Sequence, residues 1–424
     1  MGLNSKIGST APSQFPNMLP IFSVRRQILQ GKSKGKSDLA PLLQLLHNRP
    51  LSCQVRGLSL NILQIISGRE VNGALVYCHL LSNMLAERGH RVWIVCRPGS
   101  WMAEQTYSAG VQILHSSMRR LPTTDLRVAS EWIRQHRIDL IHTHMTRAHT
   151  FGVLLKMITG TPVVATAHSR HFEVHWKFND YVLANSRSTQ EYHQRINWIS
   201  PSKIQTVYCC PDLTRFETVT PWDVRIVRRQ LRVATDKILL GVVGEVLPRK
   251  GHWYLFQALP RIMQEFPEMT LVILGRFHRN EAYVRQLRRW LVDNRLFRRT
   301  KWLGLRSNVH HFMHAFDITV VPSIEEPLGL VAIESLASET PVIASHTGGL
   351  PEIIEHGQTG LLVPPRHPEA LEEAISTLAS DPDLRHQLGK NGRQFVRKMF
   401  EPQSLIDQVE QAYARLVAPH RKAA

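Results

Sequence analysis

The sequence predicts an α/β protein with two doubly wound parallel sheets, each covered by helices on both faces. Three observations lead to this prediction. The chain has 424 residues, which is too long for one compact core. Short apolar runs of strand length alternate with helix-like periodicity, at the spacing of βαβ units. The alternation occurs in two series, and the stretch 216–236 is expected to link them.

The first series predicts an N-terminal domain at residues 56–216. Strands are predicted at 60–66, 92–96, 111–114, 140–143 and 163–166, and helices at 75–88, 126–136 and 150–158. Gly89 follows the first helix, as expected of a C-terminal cap. Residues 1–55 are rich in Gly, Ser, Pro and Lys early on, and they are expected to form a basic, flexible extension.

The second series predicts a C-terminal domain at residues 217–400. Strands are predicted at 239–243, 270–274, 318–322 and 341–344, and helices at 251–265, 329–336 and 368–378. The basic stretch 276–301 contains Val284, Leu287 and Leu291 at helical spacing, so its arginines are expected on the solvent side of an amphipathic helix. A final helix at 404–416 closes the chain, within a last segment assigned to 401–424.

The charge is the unusual bulk property. A formal net charge of +18 implies attraction to an anionic partner, which could be nucleic acid, a membrane surface or a phosphorylated substrate. Nucleic acid is not expected as a partner, because the sequence has no zinc-finger spacing or RNA-binding aromatic signature. We find no apolar run near the ~20 residues that span a bilayer, no signal-peptide pattern and no cysteine framework. The expected location is the cytoplasm, with peripheral contact to the inner face of an anionic membrane.

The strongest motif is at 322–334, where a predicted strand is followed by a predicted helix. Pro327 suits the first turn of that helix, and Gly329 lets a ligand approach the backbone, with Leu330 directly after it. Glu326 and Glu334 are about two helical turns apart, so they lie on roughly the same side. A helix N-terminus beyond a strand end binds anions, and a carboxylate inside the helix can bind ribose hydroxyls. A second glycine loop follows at Gly348-Gly349.

The passage 318–364 resembles the donor-site region of retaining glycosyltransferases of family 4, whose signature is a pair of glutamates with seven residues between them. Gly241 to Gly244, with Arg249 and Lys250, resembles the loop that holds the donor diphosphate in that family. Three N-terminal motifs also resemble the family. They are Val71-Asn72-Gly73-Ala74, His142-Thr143-His144 and Thr166-Ala167-His168. The resemblance extends from about residue 60 to the C-terminus.

The resemblance implies the GT-B fold, in which two Rossmann-like domains face a cleft and the C-terminal helix crosses back to the N-terminal domain. It also implies transfer of a hexose-type sugar from a nucleoside-diphosphate sugar to a glycan or lipid-linked acceptor, with retention and without a metal or other cofactor. Polysaccharide or lipopolysaccharide biosynthesis is the expected setting.

The family pattern assigns a role to each candidate residue. The implied catalytic residues are His168 and Glu326. The implied donor-binding residues are Gly244, Arg249, Lys250, Gly329, Leu330, Glu334, Gly348 and Gly349. Within this set, Glu334 would hold ribose, and Lys250 with Arg249 the diphosphate. The implied acceptor-side residues are Asn72, Gly73 and His144.

Two departures from the family pattern keep alternatives open. Glu245 stands where the family commonly has arginine after the glycine, and Cys210-Pro211 replaces a usual Asn-Gly. A carboxylate facing a diphosphate is unfavourable, which makes a catalytically silent nucleotide-sugar-binding subunit one alternative. A sugar-nucleotide epimerase of the same fold is another, and a basic nucleic-acid binder is a third.

No metal site is predicted. Asp381-Pro382-Asp383 superficially resembles a metal-binding DxD motif, but its position between two predicted helices favours a helix cap. His142 and His144 alternate along one strand and so share a face, but no third ligand is identified.

Overall fold

The computed structural model describes residues 59–118, 123–209, 211–278 and 281–423, with side chains as far as residue 418. The predicted extension at 1–55 lies outside these residues, as do Cys53 and Cys210. Cys78 and Cys96 are buried free thiols, and Cys209 is also buried. Residues 55–424 belong to one compact unit that contains two parallel sheets.

The N-terminal sheet has seven parallel strands in the order β3-β2-β1-β4-β5-β6-β7. The strands are β1 Asn61–Ile66, β2 Arg91–Cys96, β3 Val111–His115, β4 Leu140–His144, β5 Val163–Ala167, β6 Tyr181–Ala184 and β7 Ile204–Thr206. The helices of this half are α1 Gly73–Glu87, α2 Thr123–Gln135, α3 Thr146–Thr159 and α4 Arg187–Ile196. Short 3-10 helices occupy Trp101–Glu104, Val174–Phe178 and Pro201–Lys203.

The C-terminal sheet has six parallel strands in the order β10-β9-β8-β11-β12-β13. The strands are β8 Leu239–Val243, β9 Thr270–Leu274, β10 Thr300–Gly304, β11 Ile318–Val321, β12 Val342–Ser345 and β13 Gly360–Val363. The helices are α5 Thr214–Glu217, α6 Pro221–Leu231, α7 His252–Glu265, α8 Ala282–Asp293, α9 Val309–Ala315, α10 Leu330–Ala337, α11 Leu350–Ile353, α12 Pro368–Ser380, α13 Pro382–Met399 and α14 Pro402–Ala423. Further 3-10 helices lie at Pro248–Lys250 and Phe297–Arg299.

Both central strands are buried along almost their whole length. Ile62, Leu63, Ile65 and Ile66 of β1 have no exposed surface, and residues 239–242 of β8 are buried in the same way. A parallel sheet covered by helices on both faces requires such continuous apolar strands. The predicted fold class, two doubly wound sheets with helices, is therefore confirmed.

Several elements were not predicted. Strands β6, β7, β10 and β13 and helices α4 and α6 are absent from the sequence-based prediction. The expected linker at 216–236 mostly forms α6, which begins with a capping box at Thr220 and Asp223. Arg228 of α6 pairs with Asp317 and donates to the Ala315 carbonyl, which ties this helix to the C-terminal sheet. One stripe of α6 is buried, but its many charged residues weaken the apolar periodicity from which a helix is predicted.

The last helix, α14, crosses back to the N-terminal half. Arg88 after α1 bonds Asp407 and Glu410 of α14. Tyr413, fully buried, contacts His142 of β4 with its hydroxyl. The chain therefore completes the core of its first half with its last element.

In each sheet the strand order reverses direction at one place, between β1 and β4 and between β8 and β11. Crevices at the carboxyl ends of such neighbouring strands are where open α/β sheets bind ligands. Most of the candidate residues come from loops at these two switch points or from the neighbouring strands β5 and β12.

Candidate active site

Lys250 and Glu326 form the centre of the C-terminal side of the site. Lys250 ends the short 3-10 helix after β8, and Glu326 lies in the loop after β11. The Lys250 ammonium donates to Glu326 Oε2 at 2.5 Å, and the Ser323 hydroxyl donates to the same oxygen at 3.0 Å. Glu326 is only 8% exposed, so the ammonium is the cation that balances its buried charge. The sequence assigned these two residues to different parts of the donor, but the structure pairs them directly.

The residues near Glu326 must include glycines, because other backbone segments pass too close to them to leave room for a side chain. Gly348 has a left-handed φ of +57°, and a side chain there would collide with the Glu326 carbonyl. The Gly349 amide donates to that same carbonyl at 3.0 Å. Gly329, with a φ of +107°, immediately precedes α10 and packs against Leu350. The loop after β12 is therefore held against the loop after β11.

Glu334 lies in α10, half-buried, and its carboxylate has no hydrogen-bond or ion-pair partner among the described residues. Desolvation by the surrounding protein raises the pKa of Glu334 to about 7, and the positive charge of Arg215 acts in the opposite direction. A carboxylate without a protein partner in such surroundings is available to a ligand that donates hydrogen bonds.

The loop after β8 places its charged residues differently. Gly244 has a φ of +138° and lies beside the aliphatic part of Lys250, whereas Glu245 and Arg249 are exposed. The Arg249 carbonyl accepts from the Ile324 amide, so the backbone of Arg249 supports the loop that carries Glu326. The Arg249 guanidinium has no partner within the described chain, which leaves its predicted role in diphosphate binding as a prediction.

A line of buried polar side chains forms the N-terminal side of the site. His168 follows β5, and its Nε2 lies 3.1 Å from Nδ1 of His144 at the end of β4. His144 Nε2 lies 2.8 Å from Oε1 of Gln64 in β1. With that carbonyl oxygen as acceptor, His144 carries its proton on Nε2, and His168 donates from Nε2 to His144 Nδ1. The remaining nitrogen of His168 faces Cys209 Sγ at 3.8 Å.

His142 extends this line into the domain core. Its Nδ1 lies 2.6 Å from the Tyr413 hydroxyl and its Nε2 lies 2.7 Å from Oγ1 of Thr166. Both nitrogens of His142 therefore have protein partners. Within the described residues, no group of three His, Cys, Asp or Glu side chains is arranged to hold a metal ion.

Burial keeps these imidazoles neutral. Desolvation lowers the pKa of His142 and of His168 to about 3, and it lowers that of His144 well below its ordinary value. For His142 and His144 the neighbouring histidines act in the same direction, because adjacent imidazolium ions repel one another. At neutral pH the site therefore offers neutral imidazoles on one side and a lysine–glutamate ion pair on the other.

The two halves touch at several points around the cleft. Gly73, beside the acceptor-side candidate Asn72, packs against Leu330 of α10. Asn72 caps α1 by accepting from the Ala74 and Leu75 amides at 3.0 and 3.2 Å. The Asn72 side chain therefore has a structural role as a helix cap, and its acceptor-side role stays a prediction.

Two cross-cleft ion pairs were not predicted from the sequence. Arg276, after β9, pairs with Glu70 after β1. Arg170, after β5, pairs with Glu325 at 3.4 Å. Each pair joins loops more than a hundred residues apart, so no local pattern could have revealed it.

Glu352 makes the most specific contact between the halves. Its carboxylate oxygens accept from the backbone amides of Arg187 and Ser188, each at 2.9 Å. They also accept from the Tyr208 hydroxyl at 2.9 Å. Glu352 in α11 thus caps the N-terminus of α4, where a negative charge is favoured by the helix dipole. No role for Glu352 was predicted from the sequence.

The cap at 381–383 is confirmed, since the Asp381 side chain accepts from the Leu384 amide at 2.9 Å and Pro382 begins α13.

None of the helices in the described residues has the length and apolar content that crossing a bilayer requires.

Two family models match the chain, one in each half. Residues 71–215 match Glycosyltransferase Family 4, and residues 223–395 match Glycosyl transferases group 1. An uncharacterized glycosyltransferase of Methanocaldococcus jannaschii is 26% identical over 375 residues, covering 81% of this chain and 95% of the relative. A D-inositol 3-phosphate glycosyltransferase of Kribbella flavida is 28% identical over 369 residues, covering 76% and 85%.

The fold also matches solved structures. Anabaena HepE, crystallised in complex with UDP and glucose, superposes with a TM-score of 0.75 at 23% sequence identity. The match covers 84% of this chain and 100% of the other. At this identity the likeness concerns the fold, and it agrees with the two-sheet architecture described above.

Proposed function

We propose, on the premise that the chain belongs to the GT-B glycosyltransferases with a family 4 N-terminal half and a group 1 C-terminal half, that it takes its sugar from a nucleoside-diphosphate sugar. The sugar is of the hexose type, and the acceptor is a glycan or a lipid-linked glycan. The observation that carries the proposal is the convergence of Lys250, Glu326 and the Gly348 loop at the switch point of the C-terminal sheet. Solved structures of similar fold include complexes with UDP, which supports the class of donor.

Donor binding would replace the Lys250–Glu326 contact of the ligand-free protein with contacts from each of these residues to the donor. The Lys250 ammonium is held by Glu326 in the ligand-free protein, and a diphosphate is a stronger attractant for it because it carries more charge. Once Lys250 turns to the phosphates, Glu326 is free to accept hydrogen bonds from sugar hydroxyls. Glu334 would accept from the two ribose hydroxyls.

The transfer step breaks the bond between the sugar C1 and the phosphate oxygen, and the bonding electrons leave with the nucleoside diphosphate. The acceptor hydroxyl oxygen forms the new bond to C1, and its proton goes to the departing phosphate oxygen. Lys250 and the amides at the start of α10 would stabilise the growing negative charge, which is the basis for proposing a metal-independent reaction. Retention is proposed from the family and requires the acceptor to enter on the face that the diphosphate leaves.

His168 is proposed to line the sugar subsite as a neutral group. Its low pKa excludes a proton-donating imidazolium at neutral pH, and its Nε2 proton is directed at His144. We therefore propose that the line from Gln64 through His144 fixes the ring of His168 beside the sugar. Proton transfer by this residue is not part of the proposal.

The test is binding and turnover with a panel of UDP, GDP, ADP and CMP compounds and their sugars. The wild type is compared with Glu334→Ala and with Glu369→Ala, an exposed glutamate at the start of α12. Selective binding that is lost only in Glu334→Ala supports the donor site. Transfer or slow hydrolysis of the sugar supports the enzyme. A changed sugar still joined to nucleotide would favour an epimerase, and binding without turnover a silent subunit.

We further propose peripheral attachment to an anionic membrane. The loop that follows His168 exposes Phe172, Val174 and Phe178, and Phe172 contacts the exposed ring of Trp198 at a centroid distance of 5.9 Å. The Lys177 ammonium lies 4.9 Å from the Trp198 ring centroid. Exposed aromatic side chains beside a cation suit the interface of an anionic bilayer.

Co-sedimentation with vesicles tests the attachment. Phosphatidylcholine vesicles with and without phosphatidylglycerol are compared for the wild type, Trp198→Ala and Trp222→Ala. Trp222 is a tryptophan of similar exposure in the C-terminal half, so it controls for loss of an aromatic ring. Binding to anionic vesicles that falls only in Trp198→Ala is expected. Equal binding by all three proteins would contradict the proposal.

A further inference from the structure

Three arginines occupy the carboxyl edge of the N-terminal sheet, at its switch point. Arg69 lies in the loop after β1, Arg97 directly follows β2, and Arg147 lies in the first turn of α3 after β4. Strands β2, β1 and β4 are direct neighbours in the sheet, so their loops emerge side by side. The Trp101 amide also donates to the Arg69 carbonyl at 2.8 Å, which joins the first two loops. These residues are called the arginine cluster below.

The cluster has no acidic partner. Among the residues that the structure describes, none of the three guanidinium groups forms an ion pair or a hydrogen bond, and Nε of Arg97 is buried without an acceptor. Other arginines behave differently, because Arg170 and Arg276 beside the cleft and Arg88 after α1 each pair with a carboxylate. A buried donor without an acceptor and adjacent like charges are both unfavourable, so this arrangement is stable only at a cost.

The electrostatics of the cluster agree with its geometry. Desolvation lowers the pKa of the Arg97 guanidinium, and the charges of Arg69 and Arg147 lower it further. The positive charges of the three guanidinium groups therefore repel one another across the loops. An anion placed among them would remove the mutual repulsion and give the buried nitrogen an acceptor.

The start of α3 adds a second feature. This helix of 14 residues begins after Met145 without any side-chain cap, and Arg147 lies in its first turn. A cation at the positive end of a helix is electrostatically unfavourable, because acidic groups are the ones favoured there. An anion bound at this position would accept hydrogen bonds from the uncapped amides and would offset the charge of Arg147.

The cluster lies on the acceptor side of the transfer centre. Arg147 is three residues beyond His144, which contacts His168 at 3.1 Å. The donor phosphates are assigned to Lys250 on the other sheet, so a second anion site is not needed for the donor. We propose that the arginine cluster binds a phosphate group carried by the acceptor and thereby orients the acceptor hydroxyl toward the sugar. This inference rests on the proposed transferase function.

Three arginines suit phosphate because planar guanidinium groups bind its oxygens in bidentate fashion. The phosphate could belong to a soluble sugar phosphate or to a lipid headgroup. The two sources share the same recognition chemistry, and the experiment separates them.

The first measurement titrates inorganic phosphate into the protein at constant ionic strength, by calorimetry. It uses the Lys250→Met background, so that phosphate binding at the donor site does not contribute. Arg97→Gln and Arg147→Gln are compared with Arg91→Gln, which removes the same charge from an exposed position at the opposite end of β2. Affinity is expected to fall at least about tenfold in the first two, the order of one lost charge-assisted hydrogen bond, and to stay unchanged in Arg91→Gln. Equal affinities in all variants would overturn the proposal.

The second measurement uses proteins with Lys250 intact and compares acceptors. Glucose 6-phosphate is tested against glucose, and phosphatidylcholine vesicles containing phosphatidylinositol are tested against phosphatidylcholine alone. The readout is the ratio of sugar transferred to sugar lost by hydrolysis of the donor. A preference for glucose 6-phosphate indicates a soluble source and a preference for phosphatidylinositol a lipid source, and Arg97→Gln should reduce either ratio about tenfold. No preference for phosphate in either arm would overturn the proposal.

The two proposals fail in distinguishable ways. If the wild type neither hydrolyses nor transfers any donor sugar, the proposed function fails, while the phosphate titration still decides the cluster. Far-UV circular dichroism of every variant shows whether Arg97→Gln has folded. Arg147→Gln provides the independent variant if it has not, because Arg147 is exposed.

Discussion

The two sides of the cleft solve different electrostatic problems with the same kind of sheet. On the N-terminal side, His142, His144 and His168 are neutral because burial has lowered their pKa values. On the C-terminal side, Lys250 and Glu326 are in contact as an ion pair, and Glu334 has a pKa near 7. Residues at and near the strand ends therefore tune the chemistry, and the shared fold does not. The neutral histidines are proposed to face sugar hydroxyls, and the Lys250–Glu326 pair is proposed to meet the diphosphate.

The largest expected effect tests the charged side. Lys250→Met should lower transfer about 10²- to 10³-fold, because it removes the cation beside the leaving group and leaves Glu326 buried without its partner. Steady-state kinetics with the donor found by the nucleotide panel provide the measurement. Arg249→Met is the matched comparison, since Arg249 is the exposed neighbour and should lose far less. An equal loss in both variants would mean that the two cations share the diphosphate.

The next effect tests the neutral side. Tyr413→Phe should lower the free energy of unfolding by about 1–3 kcal/mol, because Nδ1 of buried His142 loses the hydroxyl that lies 2.6 Å away. Urea denaturation gives the value. Tyr192→Phe, in α4 and only half-buried, should change it by less than about 0.5 kcal/mol. Donor affinity should be equal in both variants, and a selective loss in Tyr413→Phe would contradict the separation of the two sides.

The pH dependence of donor affinity tests the role of Glu334 on the C-terminal side. Only the ionised Glu334 accepts from both ribose hydroxyls, and its pKa of about 7 is raised by desolvation. Donor affinity should therefore rise as the pH increases through 7. Between pH 6 and pH 8 the dissociation constant of the nucleotide sugar should fall about tenfold, as the competent fraction grows.

Glu334→Gln is the control for this measurement. Glutamine does not titrate, so the dissociation constant of the variant should be weaker and independent of pH over the same range. If the variant keeps the tenfold change, another group is responsible for it.

The smallest effect concerns the contact between the two sides. Glu352→Gln weakens the cap on α4 by removing its negative charge, which is worth about 0.3–1 kcal/mol at a helix N-terminus. The cleft should then admit water more readily, and hydrolysis of the donor should rise two- to fivefold relative to transfer. Glu355→Gln, two residues beyond α11, is the control and should leave the ratio unchanged. A lower ratio of hydrolysis to transfer in Glu352→Gln would contradict a role of Glu352 in excluding water from the cleft.

The sequence predicted most of the fold because buried strands in a parallel sheet are recognisable as apolar runs. It missed β6, β7, β10 and β13. Strands β6, β7 and β13 have only four, three and four residues, and Thr300–Gly304 adjoins a basic stretch. It also missed α6, whose charged face hides a buried stripe. These failures come from short length and from polar composition, and both weaken a periodic signal.

The candidate site was predictable where residues follow one another in the chain. The glycines and glutamates between residues 326 and 349 form one local motif, and the structure brings them together. The Lys250–Glu326 pair, the Glu352 cap and the arginine cluster each join loops that are far apart in sequence. Their contacts depend on the strand order of the two sheets, and no spacing in one sequence encodes it.

The crossing of α14 has a consequence for biosynthesis. Tyr413 bonds His142, which the ribosome adds 271 residues earlier. At about 5–20 residues per second, His142 would wait roughly 14 to 54 seconds for its partner. The first half of the chain therefore leaves the ribosome with an open core, and it acquires its full native packing only after translation of the second half is complete. A stop codon a few residues before Tyr413 would damage the half of the protein that was made first.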